Sequence, residues 1–137
     1  EWLGAVSMAE RNRLLSKARA VLMPTRYLEP FGNVSAEAQL CGTPVISTDA
    51  GGFTESVVDG ETGYRCHTLG EWVQAIDAAR DLDRLAIYLR ARKLYSRDAA
   101  RDAYAAYFRR LDLVHQDGWR DLSPGLTIKE RYAVATA

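Results

Sequence analysis

The sequence has little net charge, little cysteine and no long apolar run. Its 137 residues carry 18 basic and 18 acidic side chains, so no global electrostatic field attracts the chain to nucleic acid or to an anionic membrane surface. No apolar run approaches the roughly 18–20 residues that a membrane span needs. These absences argue against a nucleic-acid partner and against a membrane-spanning segment in this sequence.

The two cysteines, Cys41 and Cys66, lack the spacing of a metal or redox motif. No signal peptide is recognisable ahead of them. We therefore expect unpaired thiols in a reducing compartment, and predict that the protein is cytoplasmic.

The composition is that of a folded globular protein, with 47% hydrophobic and 26% charged residues. The length suits one domain. The first residues, Glu1 to Gly4, lack a methionine and are typical of the inside of a strand and its turn. We therefore expect the chain to begin within a fold, as a fragment would.

Short apolar runs alternate with amphipathic segments along the first half of the chain. The run from Ala20 to Pro24 predicts a strand buried on both faces of a parallel sheet. The full pattern predicts a helix at about 8–18, strands at 20–24, 43–48 and 63–66, a helix at 33–42, and helices from Gly70 onward. Because strands alternate with helices, we predict an α/β fold: a Rossmann-like parallel sheet with flanking helices and a helical C-terminal part.

The loop after the first of these strands carries two acidic residues eight positions apart, Glu29 and Glu37. Ligands of such sheets bind beyond the carboxyl ends of the strands. Helical side chains lean towards the helix N-terminus, so we expect Glu37 to point back towards Glu29. The free N–H groups near Gly32 favour an anion such as a diphosphate, while carboxylates accept hydrogen bonds from vicinal hydroxyls. A molecule with ribose, diphosphate and sugar would satisfy all three features.

The surrounding residues carry a family resemblance. The two glutamates stand in an E-x7-E arrangement that includes EPFGN, and the chain continues with CGTPVI at residues 41–46 and GG-x-x-E at residues 51–55. This stretch resembles the retaining glycosyltransferases of the GT-B fold, family 4. The resemblance is strong from about residue 20 to residue 66 and only general after Gly70.

The resemblance implies roles for particular residues. Glu29 would be the catalytic residue that contacts donor-sugar hydroxyls, and Glu37 would hold the ribose hydroxyls. The implied donor-binding set is Glu29, Phe31, Gly32, Asn33, Val34, Ser35 and Glu37, with Arg26, Gly51 and Gly52 as further candidates.

The family resemblance also implies a reaction and partners. The donor would be a nucleotide-diphosphate sugar, the acceptor a hydroxyl of unknown identity, and the anomeric configuration would be retained without a metal or other cofactor. The chain would be the C-terminal, donor-binding half of the fold, with residues 1–122 as an N-terminally incomplete domain and residues 123–137 as a tail. An N-terminal Rossmann-like domain would supply the acceptor site and any peripheral membrane contact.

Other interpretations remain open at this stage. A nucleotide-binding module without transferase activity, or a sugar epimerase of the same fold, would share part of the pattern. His67 and His115 lack partners at meaningful spacing, so we expect surface or packing roles. The aromatic stripe of Tyr104, Tyr107 and Phe108 predicts a helix face turned towards a core.

Overall fold

A computed structural model describes residues 1–116 of the chain. Two compact units divide the chain, Glu1–Ser96 and Arg97–Ala137. The first unit contains, in chain order, α1 (Met8–Lys17), β1 (Val21–Met23), α2 (Asn33–Leu40), β2 (Val45–Thr48), α3 (Phe53–Ser56), β3 (Gly63–Cys66), α4 (Leu69–Ala78), a 3₁₀ turn (Ala79–Asp81) and α5 (Arg84–Tyr95). The described part of the second unit is one helix, α6 (Arg97–Gln116).

The three strands of the first unit form a parallel sheet in the order β1-β2-β3. Val21 lies opposite Val45, and Val45 lies opposite Gly63. The predicted α/β fold with a parallel sheet and flanking helices is therefore confirmed. Because the strands are parallel, their carboxyl ends share one edge, where the hydroxyl oxygens of Thr25 and Thr48 lie 3.2 Å apart.

The core lies on both faces of β2. Val45 packs in a cluster with Ala38, Phe53 and Val57. The next residue, Ile46, packs with a second cluster that includes Cys66, Ala75 and Ala79. Successive strand residues point to opposite faces of a sheet, so β2 is the strand buried on both sides and it anchors the loops at its carboxyl end.

The predicted burial of the first strand on both faces is wrong. Leu22 of β1 is 49% exposed, because the described residues do not fully cover the face of the sheet to which its side chain points. The expected strand at residues 1–4 is also absent: these residues pair with no strand of the described chain, and Trp2 is 91% exposed.

The aromatic stripe lies on α6 of the second unit, and its packing against a core stays a prediction because the rest of that unit lies outside the described residues. Tyr104, Tyr107 and Phe108 are each more than half exposed. Helical spacing determines which residues share a face, but it does not determine what covers that face. The side chain of His115, the predicted boundary after residue 122 and the tail at 123–137 lie outside the described residues.

The two cysteines are free thiols, as the spacing predicted. Cys66 is buried, and Cys41 is partly buried. Burial, with a smaller contribution from neighbouring carboxylates, raises the pKa of both thiols. Both therefore stay largely protonated near neutral pH.

Helix starts follow local hydrogen-bonding side chains. Ser7 caps α1 by accepting a hydrogen bond from the Glu10 N–H at 3.2 Å. Thr68 caps α4, and its capping box with Glu71 is complete. The helix predicted from Gly70 onward therefore begins one residue earlier, at Leu69, after the capping threonine.

Candidate functional site

Gly32 forms the corner between the loop after β1 and helix α2. Its φ of 82° lies in the left-handed region, and a Cβ added there would lie 2.9 Å from Cε1 of Phe53. Both the backbone conformation and the close approach of Phe53 therefore require glycine. This turn aims the start of α2 at the carboxyl edge of the sheet.

The N-terminus of α2 has no side-chain cap and no acidic residue in its first turn. The Gly32 carbonyl accepts the hydrogen bond of Ala36 at 3.2 Å. The N–H groups of residues 33–35 precede any intrahelical acceptor and carry the positive end of the helix dipole. This end of α2 can therefore attract an anionic group.

Glu29 is held in place beside that helix start. Its Oε1 accepts a hydrogen bond from the Gly32 N–H at 3.0 Å, and its Oε2 accepts one from the Tyr27 hydroxyl at 2.8 Å. The hydrogen bond to Glu29 raises the pKa of Tyr27, because ionising the phenol would break it. Each carboxylate oxygen still has a second lone pair, so Glu29 can accept further hydrogen bonds from a ligand.

Glu37 lies one turn inside α2 and pairs with α1. Its Oε1 is 3.0 Å from a guanidinium nitrogen of Arg11. Its Oε2 and the Arg11 Nε are buried without a hydrogen-bond partner among the described residues. The two glutamates thus have separate partners, and their convergence on one ligand stays a prediction.

The remaining predicted residues at the start of α2 differ in what they expose. Phe31 and Val34 are about half exposed, and the Phe31 ring meets the edge of Tyr95 at 6.0 Å between centroids. The Ser35 hydroxyl is buried and accepts a hydrogen bond from Gln39 Nε2 at 3.1 Å. Ser35 therefore has only its backbone N–H to offer a ligand, while Asn33 and Arg26 are exposed.

The double glycine after β2 packs on the loop that carries Glu29. The Gly52 N–H donates to the Glu29 carbonyl at 2.6 Å. A Cβ on Gly52 would lie 2.8 Å from the Cα of Phe31, and one on Gly51 would lie 2.7 Å from the Glu29 nitrogen. The two glycines therefore permit a close approach of two loops. In the sequence, the double glycine is the one signal of this contact.

Charged side chains that no sequence motif indicated form a cluster next to the loop of the double glycine. Arg65 of β3 pairs with Asp49 at 3.3 Å and with Asp59 at 2.9 Å. His67 Nε2 lies 3.2 Å from the other oxygen of Asp49. Burial raises the pKa of Asp59, but hydrogen bonds from the Arg65 backbone and guanidinium outweigh it, so this pKa lies below its ordinary value.

The described residues contain neither a cluster of metal-binding side chains nor a helix able to span a membrane. Within residues 1–116, no three side chains of His, Cys, Asp or Glu gather so as to hold a metal ion. In the same part of the chain, no helix combines the length and apolar character needed to cross a membrane.

Comparison with known proteins adds family information to this geometry. The model of the family described as "Glycosyl transferases group 1" matches residues 1–92. A protein named D-inositol 3-phosphate glycosyltransferase from Paenarthrobacter aurescens is 32% identical over 116 residues, which are 83% of this chain and 27% of that protein. Its namesake in Mycobacterium bovis is 45% identical over 92 residues, covering 66% of this chain and 18% of the relative.

A differently named relative shares a shorter stretch. A glycogen synthase of Mycobacterium tuberculosis is 40% identical over 65 residues, which cover 47% of this chain and 16% of that protein. The matched part of this chain thus spans from about a sixth to about a quarter of the length of these curated relatives.

Proposed function

Because this chain belongs to the group 1 glycosyl transferases, we propose that its protein transfers a sugar from a nucleotide-diphosphate donor to an acceptor hydroxyl, with retention at the anomeric carbon. This chain supplies the donor-binding site. The observation that carries the proposal is the Glu29 carboxylate, held by the Gly32 N–H and the Tyr27 hydroxyl beside the uncapped start of α2.

The chemistry of this corner suits a sugar attached to a diphosphate. Glu29 accepts hydrogen bonds from hydroxyls of the donor sugar and fixes its orientation. The N–H groups at the start of α2 stabilise the negative charge that grows on the diphosphate as the glycosidic bond breaks. The double glycine keeps this corner in place, and Gly51 and Gly52 can approach the donor with their backbone alone.

The second glutamate serves the nucleoside end of the donor. Glu37 accepts hydrogen bonds from the two ribose hydroxyls, and Arg11, whose guanidinium lies 3.0 Å from Glu37 Oε1, orients the carboxylate. Leaving-group stabilisation in this scheme comes from the backbone dipoles at the start of α2, so the reaction is proposed to need no metal.

The acceptor is proposed to bind elsewhere in the full-length protein. The relatives are several times longer than the stretch they share with this chain, and their names indicate different acceptors, an inositol phosphate in one case and glycogen in the other. A segment common to both suits the donor rather than the acceptor. We propose an N-terminal Rossmann-like domain for the acceptor.

The test compares variants of the two glutamates in the full-length protein. Glu29→Ala and Glu37→Ala are each expected to lower kcat/KM by about 30- to 1,000-fold, equivalent to about 2–4 kcal/mol, because each removes a charged contact to the donor. The matched control is Glu61→Ala, since Glu61 is an exposed acidic residue in a turn. Transfer is measured as nucleotide release together with chromatographic identification of the product, using UDP-, GDP-, ADP- and dTDP-sugars.

Each outcome separates the alternatives. Unchanged transfer in both glutamate variants would overturn the assignment of the site. Binding of a nucleoside diphosphate by calorimetry without transfer from any donor would favour a nucleotide-binding module. An isomerised sugar in place of a glycoside would favour an epimerase.

A further inference from the structure

Arg65 contacts two segments of the chain, residues 49–54 and Asp59. Its guanidinium pairs with Asp49 at 3.3 Å, with Asp59 at 2.9 Å, and donates to the Thr54 carbonyl at 3.3 Å. Its backbone N–H also donates to Asp59 Oδ1 at 2.7 Å. One side chain therefore contacts both ends of the segment at residues 49–54, which we call the glycine loop.

The opposite side of the glycine loop lies against Glu29. The Gly52 N–H donates to the Glu29 carbonyl at 2.6 Å, and neither Gly51 nor Gly52 has room for a Cβ against the backbone of residues 29–31. Inside the loop, the Thr54 hydroxyl donates to the Gly51 carbonyl at 2.8 Å. A continuous set of contacts thus runs from Arg65 through the glycine loop to Glu29.

We call the contacts of Arg65 with Asp49, Asp59 and the Thr54 carbonyl the arginine clamp, and this set of contacts requires arginine. The planar guanidinium has five N–H donors in a rigid fork and can serve two carboxylates and a carbonyl together. A lysine ammonium at this position is a single point charge without that fork. The Arg65 side chain is only 25% exposed and that of Asp49 only 29%, so solvent screens this pair less than a fully exposed one.

We propose that Arg65 is a positioning residue for Glu29, acting through the glycine loop. The proposal rests on the donor-binding role proposed above for Glu29. Arg65 itself contacts no donor atom in this scheme. It holds the ends of the glycine loop so that the loop keeps the Glu29 backbone at the start of α2, because a displacement of about 1 Å at a reacting centre can cost about 100-fold in rate.

The test is a double-mutant cycle in the full-length protein, with Arg65→Leu, Glu29→Gln and the two combined. Arg65→Leu is expected to lower kcat by about 10- to 100-fold, and Arg65→Lys by less. In the Glu29→Gln background, Arg65→Leu should lower kcat by no more than about twofold, because the residue through which it acts is already lost. Arg13→Leu removes an exposed arginine paired with Glu10 and serves as the matched control, with kcat within about twofold of the parent.

The outcomes distinguish the inference from the function on which it rests. If the parent transfers sugar and Glu29→Gln impairs it, but the effects of Arg65→Leu and Glu29→Gln multiply, then Arg65 acts independently of Glu29 and the inference is overturned. If neither the parent nor any variant transfers sugar, the proposed function fails first. If Arg65→Leu does not fold, Asp49→Asn replaces it, because it removes one charged partner of Arg65 in the arginine clamp. The same cycle with Glu29→Gln then shows whether the effect on kcat depends on Glu29.

Discussion

Replacing Gly52 with alanine should damage activity more than stability, because it changes a contact between two loops and not a backbone conformation. Gly52 has an ordinary φ of −61°, so alanine brings no torsional strain. Its Cβ, however, would lie 2.8 Å from the Phe31 Cα and 2.9 Å from the Pro30 carbonyl oxygen. Ordinary contacts begin near about 3.5 Å, so the loop carrying Glu29 must move by about 0.7 Å.

The magnitude follows from that displacement. Overpacking of this size typically costs about 1–3 kcal/mol of folding free energy. A shift approaching 1 Å in a substrate-positioning group costs up to about 100-fold in rate. We therefore expect Gly52→Ala to lower kcat/KM by about 10- to 100-fold.

Gly60 provides the matched control. It has a positive φ of 74°, and no atom lies within 4 Å of the place where its Cβ would be. Gly60→Ala therefore tests torsional strain alone, which is expected to cost about 1 kcal/mol after the entropy lost by the unfolded chain is counted. Gly51→Ala, with a φ of 60° and the Glu29 backbone in contact range, combines both penalties and should cost about 2–4 kcal/mol.

The assay combines urea unfolding with steady-state transfer kinetics on the full-length protein. Gly60→Ala should lose stability while its kcat/KM stays within about twofold of the parent, whereas Gly52→Ala should lose rate out of proportion to stability. If Gly52→Ala kept the parent's kcat/KM, the contact between the glycine loop and residues 29–31 would not position Glu29. That result would refute the reasoning.

Three further predictions concern the stability of the first unit. Thr68→Ala should cost about 1 kcal/mol in urea unfolding, because it removes the cap of α4; Gln74→Ala, at an exposed position inside the same helix, is its control. Phe53→Ala should cost about 3–5 kcal/mol, since Phe53 is fully buried between α2 and β2. For Asp59, whose pKa is lowered by Arg65 hydrogen bonds that outweigh burial, the stabilisation is present above about pH 4 and is lost as the pH falls through the lowered pKa. Asp59→Asn should therefore flatten the decline of the unfolding midpoint below about pH 4, and an unchanged decline would contradict this.

Local signals predicted the elements near the candidate site closely. The run from Ala20 to Pro24 contains β1, and the predicted strand at 63–66 coincides with β3. The helix predicted at about 8–18 coincides closely with α1, which Ser7 caps from the position just before it. These features depend on residues only a few positions apart, so the sequence carries them directly.

Features that depend on distant partners were missed or wrong. The pairing of Glu37 with Arg11 joins residues from two helices, and no residue spacing in the sequence predicted it. The exposure of the Leu22 side chain depends on what packs over its face of the sheet.

The sequence by itself determined the α/β class, the order β1, α2, β2 and β3, and the loop in which Glu29 and Gly32 stand, because each follows from periodicity, capping and turn chemistry over short stretches. Only the tertiary structure decided that the double glycine packs against Glu29 and that Arg65 holds the other side of the glycine loop. The physical reason is that these contacts join segments that follow or belong to different strands, brought together when β1, β2 and β3 pair in parallel and their carboxyl ends meet at one edge.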